Sequence, residues 1–176
     1  ARLQERYGIR IETYFPDAAA VESFVDTHGP NAFYGSLDLR KACCAIRKVE
    51  PLKRALKGAD AWITGLRQEQ AATRGGLGPF ELDWANGGIV KVNPLIAWTL
   101  DQVWDHIRTR EVPYNPLHDR GFPSLGCAPC TLAVHPGEDI RAGRWWWDRA
   151  PLSAGHRVGR GRAQRRRADH QAGGER

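Results

Sequence analysis

The sequence predicts an α/β protein with a mostly parallel sheet and flanking helices, and three observations lead there. Short segments of period-2 apolar patterning alternate with segments of helical patterning over the first 110 residues. Proline and glycine punctuate the joins between them. The 176 residues are 41% hydrophobic and 26% charged, enough to bury one core. No run approaches the ~18 apolar residues a membrane helix needs.

The elements follow in chain order. Ile9, Ile11 and Tyr14 alternate with polar residues until Pro16-Asp17, so 8–15 is expected to be a strand. Residues 17–27 set Val21, Phe24 and Val25 at helical spacing. From Ser36 to Leu56, the positions Leu37, Ile46, Val49 and Leu52 predict helix, with Pro51 either interrupting it or opening a second one. Ala61–Gly65 has the composition of a buried strand, and 66–79, with Arg67, Arg74 and three glycines, that of a mobile loop. Phe80–Ala85 and Ile89–Val92 flank Asn86-Gly87-Gly88, a hairpin signal. In 99–110, Thr99 and Gln102 fit a capping box, and Leu100, Val103, Trp104 and Ile107 form one apolar face. Loop residues then dominate up to Cys127, and Arg144–Asp148 closes the ordered part. Beyond residue 148 the apolar periodicity vanishes, so the expected organisation is a domain over 1–148 and a disordered Arg-rich tail over 149–176.

The formal charge of +6 suggests a nucleic-acid partner, but its location argues against one. Between Gly155 and Arg176 stand seven arginines against Asp169 and Glu175, so five of the six net charges belong to the tail. The first residues, Ala1-Arg2-Leu3-Gln4-Glu5-Arg6, contain no apolar signal core, which predicts a cytoplasmic protein with reduced cysteines. The sequence contains no Met, which points to a missing beginning.

Its four cysteines carry the chemistry. Cys43 and Cys44 are adjacent, and Cys127 and Cys130 form a Cys-x-x-Cys after 82 intervening residues. Four thiolates complete either an iron–sulfur cluster or a structural zinc site. The second pair has ordinary zinc spacing and the abutting first pair does not. Neighbouring helical side chains diverge by about 100°, which suits a bulky cluster better than one small ion. A tandem disulfide would be strained. Buried core roles for Cys43 and Cys44 with a redox Cys127/Cys130 pair, and a zinc-stapled nucleic-acid module with a basic tail, remain the competing readings.

Four stretches narrow the choice: Cys43–Leu52, Trp62–Gln70, Gly126–Thr131 and Arg141–Trp147. In order and spacing, from residue 1 to 148, they resemble the assimilatory adenylyl-sulfate reductases, the thioredoxin-dependent iron–sulfur branch of the sulfonucleotide reductases. The resemblance implies an adenine-nucleotide alpha-hydrolase-like, Rossmann-like fold, incomplete at its N-terminus. It implies reduction of adenylyl sulfate to sulfite and AMP, with thioredoxin as reductant, in sulfate assimilation and cysteine biosynthesis. Cys43, Cys44, Cys127 and Cys130 would ligate a 4Fe-4S cluster, and Lys48, Arg74, Arg141 and Arg144 match the family's substrate-binding positions. Lys48, four residues after Cys44, is expected one α-helical turn on, facing the cluster. Arg67 is a further candidate in the same motif as Arg74.

Two departures accompany the resemblance. The family's phosphate loop, Ser-Gly-Gly-x-Asp-Ser, is expected before residue 1, and its terminal Glu-Cys-Gly-Leu-His, with the nucleophilic cysteine, has no counterpart after Asp148. No catalytic residue is therefore assigned, and Ser153 cannot replace a thiolate near neutral pH. The last 28 residues read as a shifted frame or an unrelated extension. Homo-oligomerisation stays open at this level.

Overall fold

A computed structural model describes residues 2–71 and 74–148. The tail assigned to 149–176 lies outside the described residues. The chain divides into two compact units, Ala1–Pro113 and Tyr114–Arg176, a boundary that falls inside the expected 1–148 domain.

The first unit is α/β. Helix α1 (Arg2–Tyr7) is tied down by Arg6, whose Nη2 donates to the Arg110 carbonyl at 2.7 Å. Helix α2 (Ala18–His28) starts where expected, because the Asp17 carboxylate accepts the Ala20 N–H at 2.8 Å and satisfies one of the orphan donors of the first turn. It buries Phe24. A 3₁₀ turn, Ala32–Tyr34, buries Phe33 and leads into α3 (Leu37–Cys44), capped by Ser36, whose Oγ accepts the Leu39 N–H. The chain stays helical through a π turn, Ala45–Val49, into α4 (Glu50–Ala55). Pro51 is the second residue of α4 and lies within this continuous helical run, directly after the π turn, where it has no N–H to donate to the turn before it.

The sheet is mixed. Strand β1 (Ala61–Ile63) runs parallel to β3 (Ile89–Val92), and β2 (Phe80–Asp83) runs antiparallel to β3, in the order β1-β3-β2. The expectation of a mostly parallel sheet is thus corrected to one parallel and one antiparallel pair, because the Asn86-Gly87-Gly88 turn holds and a hairpin is antiparallel by construction. Gly87 and Gly88 both take positive φ (+86° and +76°), which lets the chain reverse there. Residues 8–15 form no strand. Period-2 patterning describes two faces, but a strand also needs a neighbour for its backbone groups, and 8–15 has none among the described residues. Ile9, Ile11, Tyr14 and Phe15 are accordingly exposed.

Register explains the exposure of the sheet. Ile63, Val92 and Phe80 stand in one cross-strand row and Ala61, Val90 and Leu82 in the next, on the same face. That apolar face is open: Ile63 is 75% exposed and Phe80 69%. The buried strand expected at 61–65 is therefore a strand but not a buried one. The other face carries Trp62, Lys91 and Glu81, with a Lys91–Glu81 ion pair at 2.8 Å. After β3, Asn93 is fully buried and Ile96 nearly so, and α5 (Leu100–Thr109) follows. Its capping box forms as read from the sequence: Thr99 Oγ1 accepts the Gln102 N–H at 3.1 Å and Gln102 Oε1 accepts the Thr99 N–H at 2.8 Å.

The second unit is loop-rich, as its prolines and glycines require. Its backbone closes on itself through Val134 N–H to the Gly121 carbonyl (2.8 Å), Leu132 N–H to the Gly143 carbonyl (2.9 Å) and an antiparallel bridge between Thr131 and Arg144. Leu132 and Thr131 are buried at this crossing. Among the described residues, no helix is long and apolar enough to cross a membrane.

Candidate functional site

Each unit supplies one cysteine pair and its cations. In the first unit, Cys43 and Cys44 end α3, half-buried, immediately before the π turn. The π turn is defined by its wider closure: the Glu50 N–H donates to the Ala45 carbonyl, five residues back. The turn between Cys44 and Lys48 is thus wider than the α-helical one expected, and with more than four residues to the revolution Lys48 stays on the side of the helix that carries the two cysteines. It is exposed.

The two arginines of the loop 66–79 differ. Arg67 is buried, 6% exposed, and its Nη1 pairs with Glu69 at 3.4 Å, while Glu69 also accepts the Leu100 N–H at the start of α5 (2.7 Å). That is a structural arrangement, joining the loop to a helix end. Arg74 is half-buried in a short turn, Arg74 N–H donating to the Ala71 carbonyl, and its guanidinium donates to Gln70 Oε1.

In the second unit, Cys127 is exposed and Cys130 half-buried, at the ends of a 3₁₀ turn, Ala128–Cys130, opened by Pro129. The Cys127 carbonyl accepts the Cys130 N–H at 2.9 Å and the Thr131 hydroxyl at 3.0 Å. The Cys130 carbonyl accepts the Trp145 N–H at 3.2 Å. Arg144 reaches back along the same crossing: its Nη1 donates to the Leu125 carbonyl at 2.7 Å, and its guanidinium lies over the Trp145 ring at 5.0 Å. Arg141 approaches the same ring at 5.9 Å, with its N–H on Asp139. The structure thus brings Cys127, Cys130, Arg141 and Arg144 onto one pair of crossed segments.

Three structural features escape a reading by composition and spacing. Gly126 leaves room for Arg144, since a β-carbon there would stand 2.5 Å from Nη2. Trp145 takes φ +46°, rare for a bulky residue. Asn93 donates its Nδ2 to the Gly78 carbonyl and to Glu81, both at 2.9 Å, and accepts from Thr64 at Oδ1. Its only sequence signal is a polar residue closing an apolar strand before Pro94.

All four cysteines are free thiols, so none is withdrawn from coordination by a disulfide, and the donor set suits a soft, thiolate-bound metal group. Within neither unit do three or more His, Cys, Asp or Glu side chains group into a metal-holding cluster among the described residues.

An α/β chain that pairs free thiols with Lys and Arg has the donor set for a thiolate-bound metal and the cations for an oxyanion ligand. Comparison with known proteins makes the class specific. Residues 1–133 match the phosphoadenosine phosphosulfate reductase domain, and the chain belongs to that family. It is 56% identical over 147 residues to the adenosine 5'-phosphosulfate reductase of Burkholderia cepacia, covering 84% of this chain and 58% of that one. It is 54% identical over 146 residues to the enzyme of that name from Allochromatium vinosum, covering 83% of this chain and 57% of the relative. The chain therefore spans somewhat over half the length of these relatives. A solved phosphoadenylyl-sulfate reductase from Candida auris, in a phosphate complex, shares 33% identity and a TM-score of 0.58 over 76% of this chain and 62% of its own.

Proposed function

We propose that this chain is part of an assimilatory enzyme that reduces adenylyl sulfate to sulfite and AMP, in the cytoplasm, with thioredoxin as the reductant. In that reaction a thiolate attacks the sulfate sulfur, AMP leaves with the bonding electrons, and a thioredoxin dithiol supplies two electrons to release sulfite from the resulting thiosulfonate. Cys43, Cys44, Cys127 and Cys130 would hold a 4Fe-4S cluster. When bound, the cluster would supply fixed electrostatics rather than a route for electrons. With all four cysteines committed as ligands, no thiolate within these 176 residues remains to attack sulfur.

The chain's own residues then bind and orient. Lys48, Arg74, Arg141 and Arg144 place positive charge against phosphate and sulfate oxygens, and Arg does this bidentately. The observation that carries the reading is the crossing in the second unit, where Trp145 N–H on the Cys130 carbonyl and Arg144 on the Leu125 carbonyl join thiols to cations. A nucleophile-free chain should bind but not react.

Anaerobic purification with iron and sulfide, followed by metal and acid-labile sulfide analysis, tests the assignment. A brown protein with iron and sulfide in equal number supports it. A colourless zinc protein rejects it in favour of a zinc-stapled module. Labelled adenylyl sulfate should leave no covalent thiosulfonate on this chain.

A further inference from the structure

We propose that Trp145 is the positioning residue that couples the Cys127/Cys130 pair to the Arg141/Arg144 pair, an inference that gives the proposed reductase reading its internal geometry. Two contacts of different kinds meet in this residue. Its backbone N–H holds the Cys130 carbonyl, and its ring carries both guanidiniums, Arg144 at 5.0 Å and Arg141 at 5.9 Å. Both distances lie within the ~6 Å range over which a guanidinium is attracted to an indole face.

The backbone conformation makes the coupling specific. A bulky residue at φ +46° is held there only when its surroundings over-determine it, and such conformations concentrate at functional sites. Here the turn follows directly on the Thr131–Arg144 bridge, so the same bend that aims the N–H at Cys130 folds the ring beneath the arginines. Arg144 is held from its other side as well. Its Nη1 is fixed on the Leu125 carbonyl, and it passes over Gly126, the residue before Cys127, where a β-carbon would stand 2.5 Å from Nη2 and 2.7 Å from Cζ. Glycine at 126 and the ring of Trp145 thus form two jaws around one guanidinium. Moving Trp145 moves the thiol pair and the cation pair together.

The test uses the whole metal-free chain and the alkylation rate of Cys130 by iodoacetamide, read by mass spectrometry, with Cys44 of the other unit as the internal reference. Trp145→Leu, which keeps bulk and loses the π face, is expected to alkylate Cys130 about tenfold faster, as local opening of the crossing predicts. Gly126→Ala, which leaves Trp145 untouched and displaces Arg144, should do the same. Trp145→Phe, which restores an aromatic face, should return the rate to within about threefold of the parent. The proposal is overturned if the Phe variant reacts as fast as the Leu variant, if Gly126→Ala leaves Cys130 at the parental rate, or if Cys44 accelerates by the same factor, which would mean general unfolding. A second arm loads each protein with iron and sulfide. Failure of the parent to take up iron rejects the cluster reading alone, because the alkylation contrast involves no metal.

Discussion

Gly143 passes so close to Leu132 that a β-carbon built on it would lie 2.0 Å from the Leu132 carbonyl oxygen, while the Gly143 carbonyl accepts the Leu132 N–H at 2.9 Å. The obstacle is backbone, which cannot rotate away. Gly143→Ala should therefore separate the two crossed segments and cost about 3 kcal/mol or more, at the upper end of overpacking. Urea unfolding followed by tryptophan fluorescence measures it, and an unchanged midpoint would contradict the crossing.

Asn93 is expected to be the costliest polar side chain to truncate. It is fully buried and joins Thr64, Gly78 and Glu81. Asn93→Ala leaves several of these groups without their partner, at a cost on the order of 2–4 kcal/mol. Thr64→Val, which removes a single hydroxyl from the same network, should cost about 1 kcal/mol. Thermal denaturation of the two variants ranks them.

Acid should weaken the sheet through Glu81. The Lys91 ammonium, first, and then the Asn93 amide hold its carboxyl below the ordinary value of 4.5, against the opposing effect of burial. A carboxyl depressed on folding binds fewer protons in the native than in the unfolded state. Its contribution is thus present above pH 4.5 and is lost as pH falls through the lower folded value. Glu81→Gln should be less stable than the parent at pH 7, with the gap closing below pH 4.5; a gap that widens in acid would refute the assignment.

Lys48 can be tested by truncation. If it binds a sulfate or phosphate oxygen, Lys48→Ala should raise the Kd for adenylyl sulfate about ten- to a hundredfold, the loss of one charge-assisted hydrogen bond. Calorimetric titration of the iron-loaded protein decides it. Lys48→Ala binding as tightly as the parent would remove Lys48 from the site.

The open sheet face predicts a solution property. Ile63 and Phe80 lie in one exposed row with Val92 between them. Ile63→Thr with Phe80→Thr should lower the fluorescence of a bound hydrophobic dye about twofold or more and leave the melting temperature nearly unchanged, because exposed positions contribute little to stability.

Local signals proved legible wherever the determinant and the structure it determines lie within a few residues. Asp17 caps α2, Thr99 and Gln102 close their box around α5, and Asn86-Gly87-Gly88 turns the hairpin, each by contacts spanning about one turn. Strand 8–15 failed for the complementary reason, since Ile9 and Ile11 can announce a pleated segment but not a neighbour to pair with. The π turn was hidden because Ala45–Val49 has unexceptional helical composition, and only the hydrogen bond from Glu50 to Ala45 reveals the extra residue in the turn. Arg67 and Arg144 looked alike as loop arginines. Tertiary packing separates them: Arg67 is buried and paired with Glu69, whereas Arg144 lies over the Trp145 ring.

By itself the sequence determined the α/β class, the two cysteine pairs and the family, since these reside in residue identity, short-range periodicity and ordered motifs. Tertiary structure alone decided that β1 pairs in parallel with β3, which face of the sheet is open, and that Trp145 binds the Cys130 carbonyl while carrying two arginines. The reason is physical: a thiol, a guanidinium and an indole acquire joint chemistry only through contacts between residues distant along the chain, and a one-dimensional pattern contains no distances.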